Sequence, residues 1–210
     1  MLHKIKEYFT HEDRDLRDNR WIFVSMLVGA IGSLIASFVL SVEAVQLAAN
    51  PDAVLSCSIN IVLNCATVAL HPSASLWGFP NSFLGLIAEP VVITVAIAGL
   101  SGVKFPRKFM FWAQIVYTFG LIFAYYLFAT SYFVIGALCP WCLLVTATTT
   151  FVWFAITRYN IREDNLYLPK TLAKKAKSVI AKDYDKAILF GLVTFLLVVI
   201  LVKYGPALFS

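Results

Sequence analysis

Histidine is nearly absent from this sequence and cysteine is scarce. Three histidines (His3, His11 and His71) and four cysteines stand among 210 residues. The only C-x-x-C, Cys139-Pro140-Trp141-Cys142, has neither a second C-x-x-C nor a histidine partner, so the usual ligand sets of a metal site are not assembled. No glycine-rich phosphate-binding loop and no nucleophilic triad can be read either. Charge is thin as well. Only 14% of residues are charged, against about 25% in soluble domains, while 60% are hydrophobic. That balance excludes a water-soluble domain and indicates a single membrane domain of a few helices. The net charge of +5 does not indicate nucleic acid, because the seventeen basic residues fall in three stretches plus Lys203. Clustering of that kind marks membrane topology.

What is present is five apolar segments, at 21–42, 82–100, 109–129, 132–157 and 187–203. A helix crosses a bilayer with about 20 residues, within a range of roughly 17–25. The first segment follows a 20-residue polar tail and no small-residue cleavage pattern, so it reads as an anchor and not a signal peptide. The mixed charges from His3 to Arg20 suit a short surface helix. Five basic residues precede the first span, none lies in 43–81, three lie in 101–108, none separates the third and fourth spans, and eight lie in 158–186. The positive-inside pattern then puts the N-terminus in the cytoplasm and the C-terminus and all cysteines on the oxidising side. Gly29, Gly32, Ser33, Ala36 and Ser37 recur at helical spacing, which permits close helix contact. Leucines alternate with lysines over 166–185, as in an amphipathic helix on an anionic leaflet or a solvated linker.

The cysteines fall into two pairs, the composition of an electron relay. Cys57 and Cys65 lie in the 43–81 loop; Cys139 and Cys142 lie inside the fourth apolar segment. In a continuous helix Cys57 and Cys65 would stand about 12 Å apart along the axis, whereas a disulfide needs Cα atoms within roughly 4.4–6.8 Å. Either they are not always bonded to each other or the segment is broken between them. Between them Ile59, Ile61, Val62 and Leu63 are apolar enough to lie on the membrane surface or cap a pocket. Pro140 favours the first turn of a helix, so the fourth helix starts at Cys139, with its positive end favouring a thiolate there, or starts near Ser131 and is kinked. Cys139 is expected to be the more exposed thiol, with Cys142 one turn deeper.

Other positions follow from local chemistry. Asn50-Pro51-Asp52 reads as a turn with Asp52 capping a helix start, and Phe79-Pro80-Asn81 as a turn with Asn81 or Ser82 capping the second span. A lone His71 builds no metal site. Asn81 also sits where a polar ligand head can dock. Glu89, about seven residues into the second span, is an ionisable group at membrane depth and hence a functional candidate, sharing a helical face with Ser82 and Gly85.

The ordered combination of C-x7-C in the first loop, Phe79-Pro80-Asn81-Ser82 opening the second span and Cys139-Pro140-Trp141-Cys142 at the fourth resembles the vitamin K epoxide reductase family. The five-span form and the run Ala74-Ser75-Leu76-Trp77-Gly78-Phe79-Pro80-Asn81 resemble its bacterial disulfide-forming branch. The resemblance covers roughly residues 20–158. It implies an all-α integral membrane protein, with a four-helix bundle around a quinone (menaquinone or ubiquinone) capped by the cysteine-bearing loop. It implies that Cys142 adjoins the quinone, that Cys139 takes electrons from the loop pair, and that Asn81 bonds a quinone carbonyl; Cys65 is the loop thiol expected to pass them on. Thr146 falls where vertebrate members carry a tyrosine at the quinone, and Glu89 is a further candidate there. With only seven residues after Lys203, no fused thioredoxin module is expected. The implied partner is a separate extracytoplasmic thioredoxin-fold (DsbA-like) protein at a bacterial cell membrane, with no nucleic acid involved. Two other readings are a thiol-based metal-binding membrane protein and a structural tetraspanning protein with a static loop disulfide.

Overall fold

The computed structural model describes residues 14–58 and 60–208. The expected surface helix over His3 to Arg20 lies, up to residue 13, outside them, as does Ile59. Among the described residues seven α-helices are formed: α1 Arg14–Ala49, α2 Cys65–Ala69, α3 Ser82–Leu100, α4 Arg107–Thr130, α5 Pro140–Arg162, α6 Lys170–Ala181 and α7 Tyr184–Leu208. Five of them, α1, α3, α4, α5 and α7, are long and apolar enough to cross a membrane. The protein is therefore an all-α, multi-pass membrane protein. At 36 residues α1 is about 54 Å long, well beyond a bilayer core of about 30 Å. Its last turns thus rise beside the cysteine-bearing loop.

Helices α1, α3, α4 and α5 make the bundle, with α1 packed against both α3 and α5, and α7 outside against α5 and α6. Small residues set the α1 contacts. A Cβ on Gly29 would stand 2.7 Å from Val152 Cγ2 of α5, and one on Gly85 would overlap Ser37. The expected small-residue face is thus used on two sides at once. The main core joins Ile22, Phe23 and Met26 to Ala96, Met110, Tyr117, Val152, Ile156 and Tyr159. At the end opposite the cysteines Arg158, 3% exposed, holds Asp18 at 2.6 Å, Asp183 at 2.9 Å and Asp185 at 2.7 Å. One guanidinium therefore ties α1, α5 and the start of α7 together. The lysine-rich stretch forms α6, a helix over its central twelve residues.

Two expectations are corrected. The fourth span does not begin at 132. Residues Ser131–Ile135 continue α4 as a π-turn, Gly136 turns the chain at φ 74°, and α5 starts at Pro140 with Cys139 as its N-cap. A side chain on Cβ makes that left-handed φ costly, so glycine is needed there. Asp52 caps no helix. Asn50 closes its own turn on the Asp52 N–H, residues 53–58 and 60–64 form no helix, and it is Asn64 Oδ1 that caps α2 through the Thr67 N–H at 3.0 Å.

Candidate functional site

The loop between α1 and α3 is folded over the start of α5 by main-chain hydrogen bonds. The Leu138 N–H donates to Val62 O at 2.7 Å and the Asn64 N–H to Leu138 O at 3.0 Å, a single parallel bridge between Leu63 and Leu138. Asn60 shapes the approach, its Oδ1 accepting from the Val62 and Leu63 N–H groups. Of the apolar run, Val62 is buried while Ile61 is 93% exposed. Cys65 follows the bridge on one strand and Cys139 on the other. Their sulfurs lie 3.0 Å apart.

Cys57 and Cys65 form a disulfide with Cα atoms 5.6 Å apart. Residues 53–58 and 60–64 form no helix, which permits this separation where a continuous helix would not. Cys139 and Cys142 are free thiols. The expectation that Cys139 is the more exposed of the two is reversed. Cys139 is 1% exposed and Cys142 is half-buried, because Leu47, Leu55, Cys57 and Cys65 close over Cys139. As the N-cap of α5, Cys139 accepts from the Cys142 N–H at 3.4 Å. Hydrogen bonding from the Cys142 thiol and from the N–H groups of Cys142 and Trp141 holds its thiol below the ordinary value, against burial and the charge of Glu43.

The sulfurs of Cys57, Cys65 and Cys139 all lie within 4.8 Å of one another. Two are spent in a disulfide, so the cluster offers one thiolate, too few for a four-ligand site. A disulfide with a third sulfur at contact distance is instead the arrangement of thiol–disulfide exchange, in which an attacking sulfur approaches one end of an S–S bond.

Of the remaining predicted residues only Thr146 has a hydrogen bond to one of the four cysteines among the described residues. Asn81 is in the loop's own framework, its Nδ2 donating to Ser73 O at 2.6 Å and its Oδ1 accepting from the Leu76 N–H at 3.3 Å. It does not cap α3. His71 caps the short turn at Pro72–Ser75. Thr146 is buried and donates to Cys142 O at 2.9 Å. Glu89, 4% exposed, accepts from the Tyr117 hydroxyl at 3.4 Å. Its Oε2 and the Ser33 hydroxyl are buried with no hydrogen-bond partner among the described residues.

The sequence reading missed one residue at the centre itself. Glu43, at the loop end of α1 and 5% exposed, accepts from the Ser56 hydroxyl at 2.8 Å and sets its oxygens 3.3 and 3.5 Å from Cys57 Sγ. Its signal was an acidic residue directly after an apolar run, one of only two acidic residues in 21–88. It was read there as a loop boundary.

A search of curated proteins finds no match to the chain. The family model described as "Vitamin K epoxide reductase family" matches residues 24–157, which hold all four cysteines and the four-helix bundle. The chain belongs to the vitamin K epoxide reductase family.

Proposed function

We propose that the protein is a quinone-linked thiol oxidase of the family's bacterial disulfide-forming branch. It takes two electrons from the dithiol of a separate thioredoxin-fold (DsbA-like) protein and passes them to a membrane quinone. Family membership already makes the chain an oxidoreductase of thiols and quinones. The observation that carries the specific reading is the 3.0 Å separation of Cys65 and Cys139 beside an intact Cys57–Cys65 disulfide.

The order of steps follows from which sulfurs touch. A thiolate of the reduced partner attacks the Cys57–Cys65 bond, and the partner's second thiol completes its own disulfide, leaving Cys57 and Cys65 as thiols. Cys65 then attacks Cys139 in a Cys139–Cys142 disulfide, forming the Cys65–Cys139 bond and expelling Cys142 as a thiolate. Cys57 attacks Cys65, restores the loop disulfide and releases Cys139. The described structure has the bonding of this last state, with the loop disulfide formed and the other pair free. Each exchange moves one electron pair and breaks one S–S bond for each one formed.

The bundle offers polar groups that suit a quinone. Ser33 Oγ and Glu89 Oε2 are buried with no hydrogen-bond partner among the described residues and provide unused polar capacity there. Asn81 Nδ2 has a second N–H beyond the one given to Ser73. Asn81, Thr146, Glu89 and Cys142 are the residues assigned to hold the ring. A bound quinone supplies the two-electron, two-proton acceptor that lets Cys139 and Cys142 return to a disulfide. Cys142 is the thiol left open to it, since Cys139 is sealed beneath the loop. The basic stretches orient the chain with its N-terminus cytoplasmic and the cysteines outside a bacterial plasma membrane.

The test uses purified full-length protein in detergent with reduced dithiothreitol and a soluble quinone, followed by the loss of quinone absorbance. The wild type should turn over, and Ala in place of Cys139 or Cys142 should abolish it. Full quinone reduction by Cys142→Ala would sink this reading in favour of a static loop disulfide.

A further inference from the structure

Glu43 is a charged side chain buried against a disulfide, and nothing in the oxidised state accounts for it. Among the described residues its one hydrogen-bond donor in this state is the Ser56 hydroxyl. The sulfur of Cys57 carries no proton while bonded to Cys65, so its 3.3 Å approach is not a hydrogen bond in this state. A buried carboxylate with so little compensation is unfavourable. The same geometry becomes a hydrogen bond once Cys57 is a thiol, because an S–H can then donate to Glu43 Oε2.

The relay asks something difficult of Cys57. It must attack as a thiolate, yet it is 5% exposed and enclosed by Leu47, Leu55 and Cys65, where water cannot solvate a sulfur anion. No basic residue lies anywhere in 43–81 to serve as a counter-ion. A proton acceptor in contact removes the need for one. Glu43 also borders an open groove of about 230 Å³ together with Phe38, Val39, Val42, Gln46 and Ser56.

We infer that Glu43 is the catalytic proton acceptor and donor for Cys57. When Cys57 attacks Cys65, its proton passes to the Glu43 carboxylate. The new Cys57–Cys65 bond forms with the electron pair of the thiolate, and Cys139 leaves with the pair from the broken Cys65–Cys139 bond. The proton on Glu43 is then lost to water through the groove. When the partner reduces the loop and Cys57 is expelled, the neutral Glu43 returns a proton to it. The inference rests on the exchange relay proposed above and adds the proton's route to it.

The ionisable groups facing Glu43 are Cys57 in the loop and the thiols of Cys139 and Cys142 at the start of α5. The test therefore uses the full chain carrying Cys139→Ser and Cys142→Ser, so that only the loop pair reacts. The loop disulfide is reduced with dithiothreitol and reoxidised with oxidised glutathione. Samples are quenched in acid and the thiols counted by maleimide mass. With Glu43 present, the reoxidation rate should hold up as pH falls below the ordinary thiol range. In Glu43→Gln, which keeps a hydrogen-bond acceptor for Ser56, the rate should drop about tenfold per pH unit, following the thiolate fraction, and converge with the parent at alkaline pH. Glu43→Asp should recover part of the parental profile. Ser56→Ala retains the carboxylate at Cys57 and should retain the profile, which guards against a Glu43→Gln chain that folds poorly.

A uniform loss at every pH in Glu43→Gln, or the same steep profile in Ser56→Ala, overturns the inference in favour of a purely structural hold on Ser56. No quinone or protein partner enters this assay. The Glu43 dependence can thus appear even if quinone reduction fails, and quinone reduction can persist with no Glu43 dependence.

Discussion

Helix α7 lies outside the family-matched residues, yet its far end bears on the exchange centre. Tyr204, 6% exposed, packs with Val62 and Leu138, the residues that carry the loop bridge. Its ring meets Tyr132 edge-on at 5.5 Å, and its hydroxyl donates to Tyr132 O at 3.0 Å. Loosening this contact should loosen the cover over Cys139. Tyr204→Phe removes only the hydroxyl. A hydrogen bond contributes about 0.5–1.5 kcal/mol net, and the low end applies because Lys203 Nζ also donates to Tyr132 O, so the carbonyl is not orphaned. Tyr204→Ala also removes a large buried ring, for about 3–5 kcal/mol if the site does not collapse. Cys139 reacts with maleimide only when the loop opens, so its labelling rate reads the opening free energy. At about 1.4 kcal/mol per factor of ten, Tyr204→Phe should label about two- to fivefold faster than wild type and Tyr204→Ala over a hundredfold faster. The assay is labelling of Cys139, located by peptide mass, in protein that keeps Cys142 and so leaves Cys139 a free thiol. Equal rates in all three chains would refute the idea that α7 holds the loop down.

Other consequences can be measured directly. Arg158→Met should cost about 3–5 kcal/mol in detergent unfolding, because Asp18, Asp183 and Asp185 lose their shared cation. If the protein stays folded, the thiol chemistry at the other end should be unaffected. Asn81→Ala should raise the apparent KM for quinone several-fold, and it should also loosen the loop, since Asn81 Nδ2 holds Ser73 O. Normal quinone kinetics with lower thermal stability would assign Asn81 to the loop alone. The hydrogen bonds that lower the Cys139 pKa favour its thiolate in the folded chain. Their stabilisation is therefore present at alkaline pH and lost as pH falls through that lowered pKa, and thiolate absorbance should titrate with a midpoint below that of a free thiol. An impermeant maleimide should label the reduced loop of intact cells from outside but not a cysteine placed by Ser101→Cys. The reverse result would invert the assigned orientation.

The five membrane helices were legible because length and apolarity are local properties. The bounds of α3, at Ser82–Leu100, coincide with the apolar segment itself. The pairing of small residues along α1 was legible for the same reason, as spacing maps directly onto a helical face. The start of α5 was harder. Gly136 and Pro140 inside one apolar run marked a break, but an unbroken hydropathy signal concealed it. What could not be read was the loop's fold. Cys139 looked exposed at a helix start, and only the Leu63–Leu138 bridge, between residues 75 positions apart, buries it. Glu43 was overlooked because a carboxylate ending a span is an ordinary boundary until Cys57, 14 residues on, is folded back against it. Local chemistry therefore singled out the two cysteine pairs, whereas the contact between them is one that only tertiary structure makes.

The central claim is that electrons cross between the two pairs through Cys65 and Cys139. Removing Cys142 leaves Cys139 free to attack the loop disulfide, with no neighbour in its own pair to release it. Cys142→Ser protein, digested without reduction and analysed by mass spectrometry, should therefore contain a Cys65–Cys139 linked peptide that disappears on reduction. Adding Cys57→Ser leaves Cys65 and Cys139 as the only thiols, and oxidising them with oxidised glutathione, which is reduced as their S–S bond forms, should bring that link close to stoichiometric. A Cys57–Cys139 link would exchange the roles of the two loop cysteines. If no link between the loop and Cys139 forms in either variant, while the Cys142→Ser protein oxidises dithiol at the wild-type rate, the relay is contradicted.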